Sequence, residues 1–276
     1  MPVTPQPDRP RLPLEHGGPA YVEIVGSVAE LVLNRPDRLN AIDAATLDVI
    51  DRAVAFADSQ HEIRVLIVRG AGRAFCAGAD LGEAGDRVAD PAALTAFLQR
   101  WHRVFTRLAE SPVPSIAAVH GYALAGGFGL LQACDLAVVA DDAVLADQHA
   151  RYGLIPAGGG TQRLPRLVGQ RRATWLMLSG EPITPGEARQ AGLVNAVCPE
   201  AEVLGRAREM AALLASRSPV ACAAVKQAIR LGLAAPSLAE GMQIEQRLAV
   251  RHMASKDAAI GLAAFVSRTA PQFVGE

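Results

Sequence analysis

Hydrophobic residues recur along this chain with two different spacings, and each spacing predicts a different kind of element. The apolar runs 21–25 and 29–33 flank a turn at Gly26-Ser27, which predicts two adjacent strands. The short apolar run 65–68 is typical of a strand buried on both faces. Apolar residues at helical spacing predict a helix over 92–110. Further strands are predicted at 115–119, 136–139 and 143–145, and a helix capped by Asp43 is predicted to run to about Ala57.

The part of the chain after Gly160 favours helices almost throughout. Helices are predicted at 171–179, 185–191, 200–217, 219–232 and 237–266. Strands first and helices last predict an α/β fold with a helical C-terminal extension. We place the sheet-based core at 21–195 and the helical region at 196–276. Residues 1–20 contain six prolines and no apolar run, which predicts a disordered tail.

Composition narrows the functional classes. A formal net charge of −1 argues against broad attraction to nucleic acid. No apolar run approaches the roughly 18 residues that span a bilayer, and no signal peptide is apparent, so we expect a cytoplasmic protein. The four cysteines are scattered without the paired spacing of a zinc site or a disulfide framework, and no metal site is expected. Cys76 is expected to be a small buried residue and not a reactive thiol.

Two glycine-bearing loops carry the candidate chemistry. The first, 75–80, reads Phe-Cys-Ala-Gly-Ala-Asp, and the second, 120–129, reads His-Gly-Tyr-Ala-Leu-Ala-Gly-Gly-Phe-Gly. Each loop follows a predicted strand. Together with 34–36, 153–156 and 158–165 they form an ordered series that resembles the crotonase (enoyl-CoA hydratase/isomerase) superfamily. The likeness covers about residues 20–276.

This resemblance implies a spiral of repeated ββα units and a helical C-terminal region that packs trimers, often paired into hexamers. It also implies an acyl-CoA thioester as substrate, with coenzyme A as part of that substrate and no tightly bound cofactor. Enolate-forming chemistry builds negative charge on the thioester oxygen, and fixed backbone N–H donors stabilise that charge. The resemblance assigns the two donors to the amides of Ala79 and Gly126. A helix beginning near Gly126 would direct its positive end at the same oxygen.

The same resemblance suggests where coenzyme A binds. Arg38, Ala41 and Ala77 fall at positions that line the coenzyme A site in relatives, with Arg38 near the nucleotide part. Phe265 and Arg268 fall in a C-terminal helix that touches the adenosine end in relatives. An arginine suits phosphate because its guanidinium is a bidentate cationic donor. A solvated surface position is the alternative for each arginine.

The acids that hydratases of this superfamily use are expected to be absent here. Gly129 stands where the first catalytic glutamate belongs, and His149 stands at the second. Glycine carries no proton, whereas histidine is a good base near neutral pH. If 147–149 is extended, alternation places Asp147 and His149 on one face, where the carboxylate could orient the imidazole. His149 is therefore the candidate acid/base, and a structural role for both residues is the alternative.

Several other residues are weaker candidates. His102 matches the place of a catalytic histidine in the dehalogenating members of the superfamily. Their aspartate nucleophile aligns with Ala157, which argues against dehalogenation. Tyr122 and Tyr152 are candidate hydrogen-bond donors in the pocket. Asp80 is expected to cap the turn that follows it.

The leading hypothesis is an acyl-CoA-processing enzyme of lyase or isomerase type, as found in fatty acid metabolism. A single acid/base fits isomerisation, carbon–carbon cleavage or decarboxylation better than hydration of a straight-chain enoyl-CoA, which would have to be atypical. The alternative is a non-catalytic acyl-CoA-binding homologue. RNA binding, known for one hydratase relative, is disfavoured by the near-neutral charge and the lack of a Lys-rich helix.

Overall fold

A computed structural model of the chain describes residues 17–80, 82, 85 and 89–276. Most of the tail that the sequence predicts to be disordered, residues 1–16, lies outside the described residues. Within the described ranges, no helix combines the length and the apolar character needed to cross a membrane.

The core of the fold is a six-stranded sheet. Its first two strands pair antiparallel, and each later strand joins parallel to its neighbour, in the order β1-β2-β3-β4-β6-β8. A second, two-stranded parallel sheet joins β5 to β7. The strands are β1 Ala20–Val25, β2 Val28–Leu33, β3 Val65–Gly70, β4 Ser115–Val119, β5 Tyr122–Leu124, β6 Leu136–Ala140, β7 Val144–Ala146 and β8 Ala196–Cys198.

Helices cover the sheet and fill the C-terminal third of the chain. The described helices of six residues or more are α1 Ala44–Ser59, α2 Pro91–Glu110, α3 Gly126–Ala133, α4 Gly160–Val168, α5 Gln170–Ser179, α6 Pro185–Gln190, α7 Val203–Ala215, α8 Pro219–Ala234, α9 Leu238–Met253 and α10 Lys256–Ser267. Asp43 caps α1 as predicted, since its carboxylate accepts a hydrogen bond from the Thr46 amide at 2.7 Å. The predicted α/β class and the helical C-terminal region are confirmed.

The sheet interior is apolar, with one charged exception. Every residue of β2 is buried, including Glu30, whose carboxylate has no exposed surface. Arg69 on β3 donates to Glu30 at 2.9 Å, and Arg208 on α7 donates to it at 2.6 Å. This cluster therefore links α7 to β2 and β3 through ionic hydrogen bonds.

Some predicted boundaries were wrong. The single helix predicted over 237–266 is two helices, because the Ser255 hydroxyl accepts from the Ala258 amide and caps a new helix. The short strands β5 and β8 were not predicted. β8 lies in the region predicted to be helical, yet it pairs with β6 in the main sheet. Where the chain divides into core and C-terminal region stays a prediction.

Candidate active site

The candidate site lies at the end of the small parallel sheet. β5 and β7 run side by side, with Leu124 opposite Ala146, and both strands end at the same edge. The Ala125 amide donates to the Ala146 carbonyl at 2.9 Å, which fixes the two chain segments together just beyond the strands. Residues 125–126 and 147–149 therefore leave the sheet next to each other.

The first glycine-bearing loop lies on the other side of β5. The Cys76 amide donates to the Tyr122 carbonyl at 2.9 Å, and the Leu124 amide donates to the Cys76 carbonyl at 3.0 Å. Arg35 anchors the end of this loop through an ion pair with Asp80 at 2.8 Å. β5 thus has the first loop along one edge and β7 along the other.

Two backbone amides meet where these segments converge. Ile42 donates to the Gly78 carbonyl and accepts from the Asp80 amide, so the Ala79 N–H points to the opposite side, away from Ile42. A Cβ built on Gly126 would lie 3.3 Å from the Ala79 nitrogen, and a Cβ on Gly78 would lie 3.1 Å from the Gly126 nitrogen. Within the described residues, neither the Ala79 amide nor the Gly126 amide donates a hydrogen bond. They form a pair of adjacent unused donors.

Helix α3 begins at this pair. Ala125 precedes it with φ 48° and ψ −113°, a conformation that costs free energy in a non-glycine residue. No side chain caps the helix, so its first amides and its positive end remain available to a negatively charged group. Gly127 allows the close packing, because a Cβ there would lie 2.0 Å from the Cys76 carbonyl oxygen.

Trp101 on α2 covers the start of α3. Its ring is 3% exposed, and a Cβ on Gly126 would lie 2.8 Å from its Cη2 atom. The ring packs edge-on against Phe105, with centroids 5.1 Å apart. Sequence reasoning missed this contact: a glycine signals close approach but does not identify the partner, which is 25 residues away in the sequence.

A histidine–aspartate pair follows β7. The Nδ1 atom of His149 lies 2.7 Å from Oδ1 of Asp147, and the His149 amide also donates to that oxygen at 3.3 Å. Asp147 is 1% exposed, and the His149 side chain is 19% exposed. A neutral imidazole that donates from Nδ1 keeps Nε2 free to accept a proton.

Comparison with known proteins identifies the family. Residues 23–276 match the family described as Enoyl-CoA hydratase/isomerase. The chain belongs to the enoyl-CoA hydratase/isomerase family. The superfamily expected from the two loops is therefore confirmed.

Individual members of the enoyl-CoA hydratase/isomerase family are similar over nearly the whole chain. A probable enoyl-CoA hydratase of Mycobacterium bovis is 36% identical over 246 residues, which are 89% of this chain and 94% of that protein. The mitochondrial enoyl-CoA hydratase domain-containing protein 2 of Mus musculus is 37% identical over 90% of this chain and 85% of its own. The crystal structure of an enoyl-CoA hydratase from Bacillus anthracis matches with a TM-score of 0.88 at 34% identity, covering 94% of this chain and 100% of that one. The crotonase-type fold is thus confirmed.

The side chains of His149 and Asp147 do meet, as they would have to if the aspartate orients the imidazole. An extended segment would have brought them together by alternation, but residues 149–152 form a 3-10 turn. The imidazole folds back onto Asp147 because that buried carboxylate accepts from both the His149 ring and the His149 amide. The contact therefore comes from a turn and not from strand alternation.

The other candidate residues differ in their surroundings. Nε2 of His102 is 2.6 Å from the Ala157 carbonyl oxygen, so this nitrogen holds the chain near 157. Tyr122 is 37% exposed and Tyr152 is 74% exposed in the single chain. Gly129 is buried on α3, where an added Cβ would contact the Phe105 ring at 3.6 Å.

The residues expected to bind coenzyme A lie in two places. Arg38, Ala41 and Ala77 occupy adjoining loops: the Ala41 amide donates to the Arg38 carbonyl at 3.0 Å, and the Ala77 amide donates to the Leu39 carbonyl at 2.9 Å. Phe265 lies on α10 and is 85% exposed, and Arg268 caps that helix with φ 56°. Their binding roles stay predictions.

Two remaining sequence expectations concern the first loop. Burial raises the pKa of the Cys76 thiol to about 12, so this cysteine is a buried thiol and not a nucleophile near neutral pH. Asp80 caps the following turn as expected, because its Oδ1 accepts from the Gly82 amide at 3.1 Å.

In the part of the chain that the structure describes, no group of three His, Cys, Asp or Glu side chains could hold a metal ion.

Proposed function

We propose that this protein binds an acyl-CoA thioester and holds the thioester oxygen between the amides of Ala79 and Gly126. The observation that supports this proposal is the pair of adjacent amides without acceptors at the start of α3. A fixed donor needs no reorganisation as charge develops on the oxygen, and losing one such donor typically costs roughly 3 kcal/mol. Trp101 keeps water away from this point because its buried ring covers Gly126.

His149 is the proposed acid/base. With Nδ1 bonded to Asp147, its Nε2 would remove a proton from the carbon next to the thioester carbonyl and later return it to the substrate. The buried Asp147 carboxylate would fix the tautomer and the orientation of the ring, and would stabilise the imidazolium that forms. Asp147 is thus a positioning residue in this proposal.

The proposed reaction is isomerisation, carbon–carbon cleavage, decarboxylation or an atypical hydration. Gly129 stands at the position assigned to the first hydratase glutamate and has no side chain to position a water molecule. One group, His149, would have to move every proton. Isomerisation needs only this, because the same base can remove a proton from one carbon and deliver it to another.

The same proposal covers how coenzyme A binds and how copies of the chain assemble. Arg38, Ala41 and Ala77 would contact the coenzyme, and Phe265 and Arg268 would meet its adenosine end. A side chain as apolar and as exposed as Phe265 supports contact with a ligand or a neighbouring copy. We propose a homotrimer or hexamer that acts in the cytoplasm, with coenzyme A only as part of the substrate and with no nucleic-acid partner.

Mass spectrometry of CoA thioesters incubated with the protein in D2O tests this function. The panel contains enoyl, 3-keto, malonyl-type and saturated acyl groups. Deuterium at the α-carbon, added water, lost CO2 or a cleaved chain would establish turnover and identify the reaction. If every thioester binds and returns unchanged, the enzyme proposal fails and the non-catalytic acyl-CoA-binding alternative replaces it.

A further inference from the structure

A cavity lies between α2, α3, α4 and α8. Its volume is about 760 Å³, within the range of cavities that hold small organic ligands. Gln132, Arg163, Arg166, Leu167, Glu110 and Arg230 line it, and we call it the Gln132 cavity. None of these six residues belongs to the oxyanion pair or to the histidine–aspartate pair, and the weaker candidate His102 also lines the cavity.

The cavity carries unbalanced positive charge. Arg230 is paired with Glu110 at 2.8 Å. Arg163 and Arg166 lie three residues apart on α4, on one face of the helix, and neither forms an ion pair with any described carboxylate. Their guanidinium groups donate only to neutral oxygens: Arg163 to the Gly158 carbonyl at 3.1 Å and to the Thr106 hydroxyl at 3.4 Å, and Arg166 to the Gln162 carbonyl at 2.6 Å.

Burial makes this imbalance costly at Arg163. Its side chain is half-buried, and burial lowers its pKa below the ordinary value because the charge is partly removed from water. A desolvated cation without a counter-charge is unfavourable, and an anion bound beside it would offset that cost.

Beneath the same wall lies Gln132, whose carboxamide is unpartnered among the described residues and has no accessible surface. It is 6% exposed, and both the Nε2 and the Oε1 atoms of its carboxamide are buried without a hydrogen-bond partner in the described structure. A buried amide that lacks a partner typically destabilises the folded state, so such a group is expected to have one in the functional state.

We propose that the Gln132 cavity binds a small molecule that carries one carboxylate on an apolar stem. Arg163 and Arg166 bind the carboxylate, and Leu167 contacts the stem. A guanidinium matches a carboxylate because it donates two parallel N–H bonds.

The carboxylate and its apolar stem could belong to either of two kinds of molecule. One is a free carboxylic acid, bound as an effector or a product. The other is the far end of an acyl chain whose thioester lies at Ala79 and Gly126, and this second source rests on the proposed function. The turn at 157–159 and the start of α4 separate the two sites: Arg163 donates to the Gly158 carbonyl, and a Cβ on Gly160 would lie 3.7 Å from Oδ2 of Asp147.

Calorimetric titration of the full chain with hexanoate and with 1-hexanol tests the site without any need for turnover. We expect hexanoate to bind and 1-hexanol to bind at least about tenfold more weakly, because only the acid can pair with the arginines. Arg166→Gln should weaken hexanoate binding about tenfold. Arg206→Gln removes the same charge from α7, where Arg206 pairs with Glu209 on the surface, and should leave binding unchanged.

Two further measurements distinguish the two sources of the carboxylate, and distinguish failure of this site from failure of the proposed function. If adipyl-CoA displaces hexanoate and hexanoyl-CoA does not, the acyl chain supplies the carboxylate; if neither displaces it, the ligand is a free acid. Either outcome supports the site. Equal affinity for hexanoate and 1-hexanol, or equal affinity of the Arg166→Gln and Arg206→Gln proteins for hexanoate, would overturn it. Hexanoate binding that persists in a protein that turns over no thioester would leave this site standing while the proposed function fails.

Discussion

The Nδ1 atom of His149 lies 2.7 Å from Oδ1 of Asp147, whose side chain is 98% buried. This contact fixes which ring nitrogen is free. A buried carboxylate accepts hydrogen bonds and does not donate them, so the neutral imidazole carries its proton on Nδ1. Nε2 is then the atom available for proton transfer. His149 follows the end of β7, which lies beside β5, the strand that leads to Gly126.

Replacing His149 tests its role as acid/base. His149→Gln should lower kcat about 10²–10⁴-fold, because glutamine cannot exchange a proton at neutral pH. KM should change little, since the proposed oxyanion amides and the proposed coenzyme contacts remain. The measurement is steady-state kinetics on the thioester that the panel identifies. His61→Gln is the control: its ring bonds the Val274 carbonyl, far from the site along the sheet, and should leave kcat unchanged.

Asp147→Asn tests the positioning role separately. Asparagine preserves shape, but its NH2 group can face Nδ1 and then favours the tautomer protonated on Nε2, which cannot act as a base. We expect kcat to fall while thioester binding persists. An unchanged kcat in Asp147→Asn, together with loss of activity in His149→Gln, would show that the aspartate only stabilises the turn.

Gly126→Ala tests the oxyanion pair. The added methyl would lie 2.8 Å from the Trp101 ring and 3.3 Å from the Ala79 nitrogen, so the two donors must separate. We expect kcat to fall about 10²–10³-fold, the usual effect of losing one oxyanion donor. Circular dichroism and the melting temperature distinguish this loss from misfolding.

Gly205→Ala is the matched glycine control. Gly205 lies inside α7, and an added Cβ meets nothing within 4 Å. Alanine there should leave kcat unchanged and stabilise the protein by up to about 1 kcal/mol, because glycine is the poorer helix former. If both glycine variants retain full activity, the Gly126 amide does not hold the substrate oxygen.

Features that depend on neighbouring residues could be predicted from the sequence, whereas features that depend on contacts between distant segments could not. The cap at Asp43 could be predicted because it depends on a residue three positions away. β5 and β8 have three residues each, which leaves little hydrophobic period to register, although the equally short β7 was predicted at 143–145 as part of the strand series. The resemblance carried by the two glycine loops assigned the candidate oxyanion amides, but Trp101 over Gly126 depends on a contact between separate helices. Local patterns therefore found the candidate donors, and only the fold supplied their cover.

Glu30→Gln tests the buried ionic cluster. Without the carboxylate, Arg69 and Arg208 face a neutral amide beneath the sheet. We expect the free energy of unfolding to fall by about 2–3 kcal/mol and the melting temperature to fall by about 5–10 °C. Glu209→Gln removes a carboxylate from an exposed pair with Arg206 and should change stability by about 0.5 kcal/mol or less. Equal effects of the two variants would contradict a stabilising role for Glu30.

Asp257 makes stability depend on pH at the C-terminus of the chain. Its carboxylate is 1% exposed, and it accepts from Ser218 at 2.6 Å and from the amides of Val274 and Gly275 at 2.8 and 3.0 Å. Burial opposes its charge, but the three hydrogen bonds and the nearby positive charge of Arg64 prevail and hold its pKa below the ordinary value. The charged form is therefore favoured by folding.

The sign of the effect follows from this lowered pKa. Stability from Asp257 is fully present above the unfolded pKa of about 3.9 and is lost as the pH falls through the lower folded pKa. Asp257→Asn should thus cost about 2 kcal/mol at pH 7, and the difference from the wild type should shrink below about pH 4. Urea denaturation at pH 7, 5 and 3.5 measures it. Glu276→Gln is the control, because Glu276 also has a lowered pKa, from its hydrogen bond with Lys256, but lies exposed and should have little effect. A difference that stays constant down to pH 3.5 would mean that the Asp257 charge does not stabilise the fold.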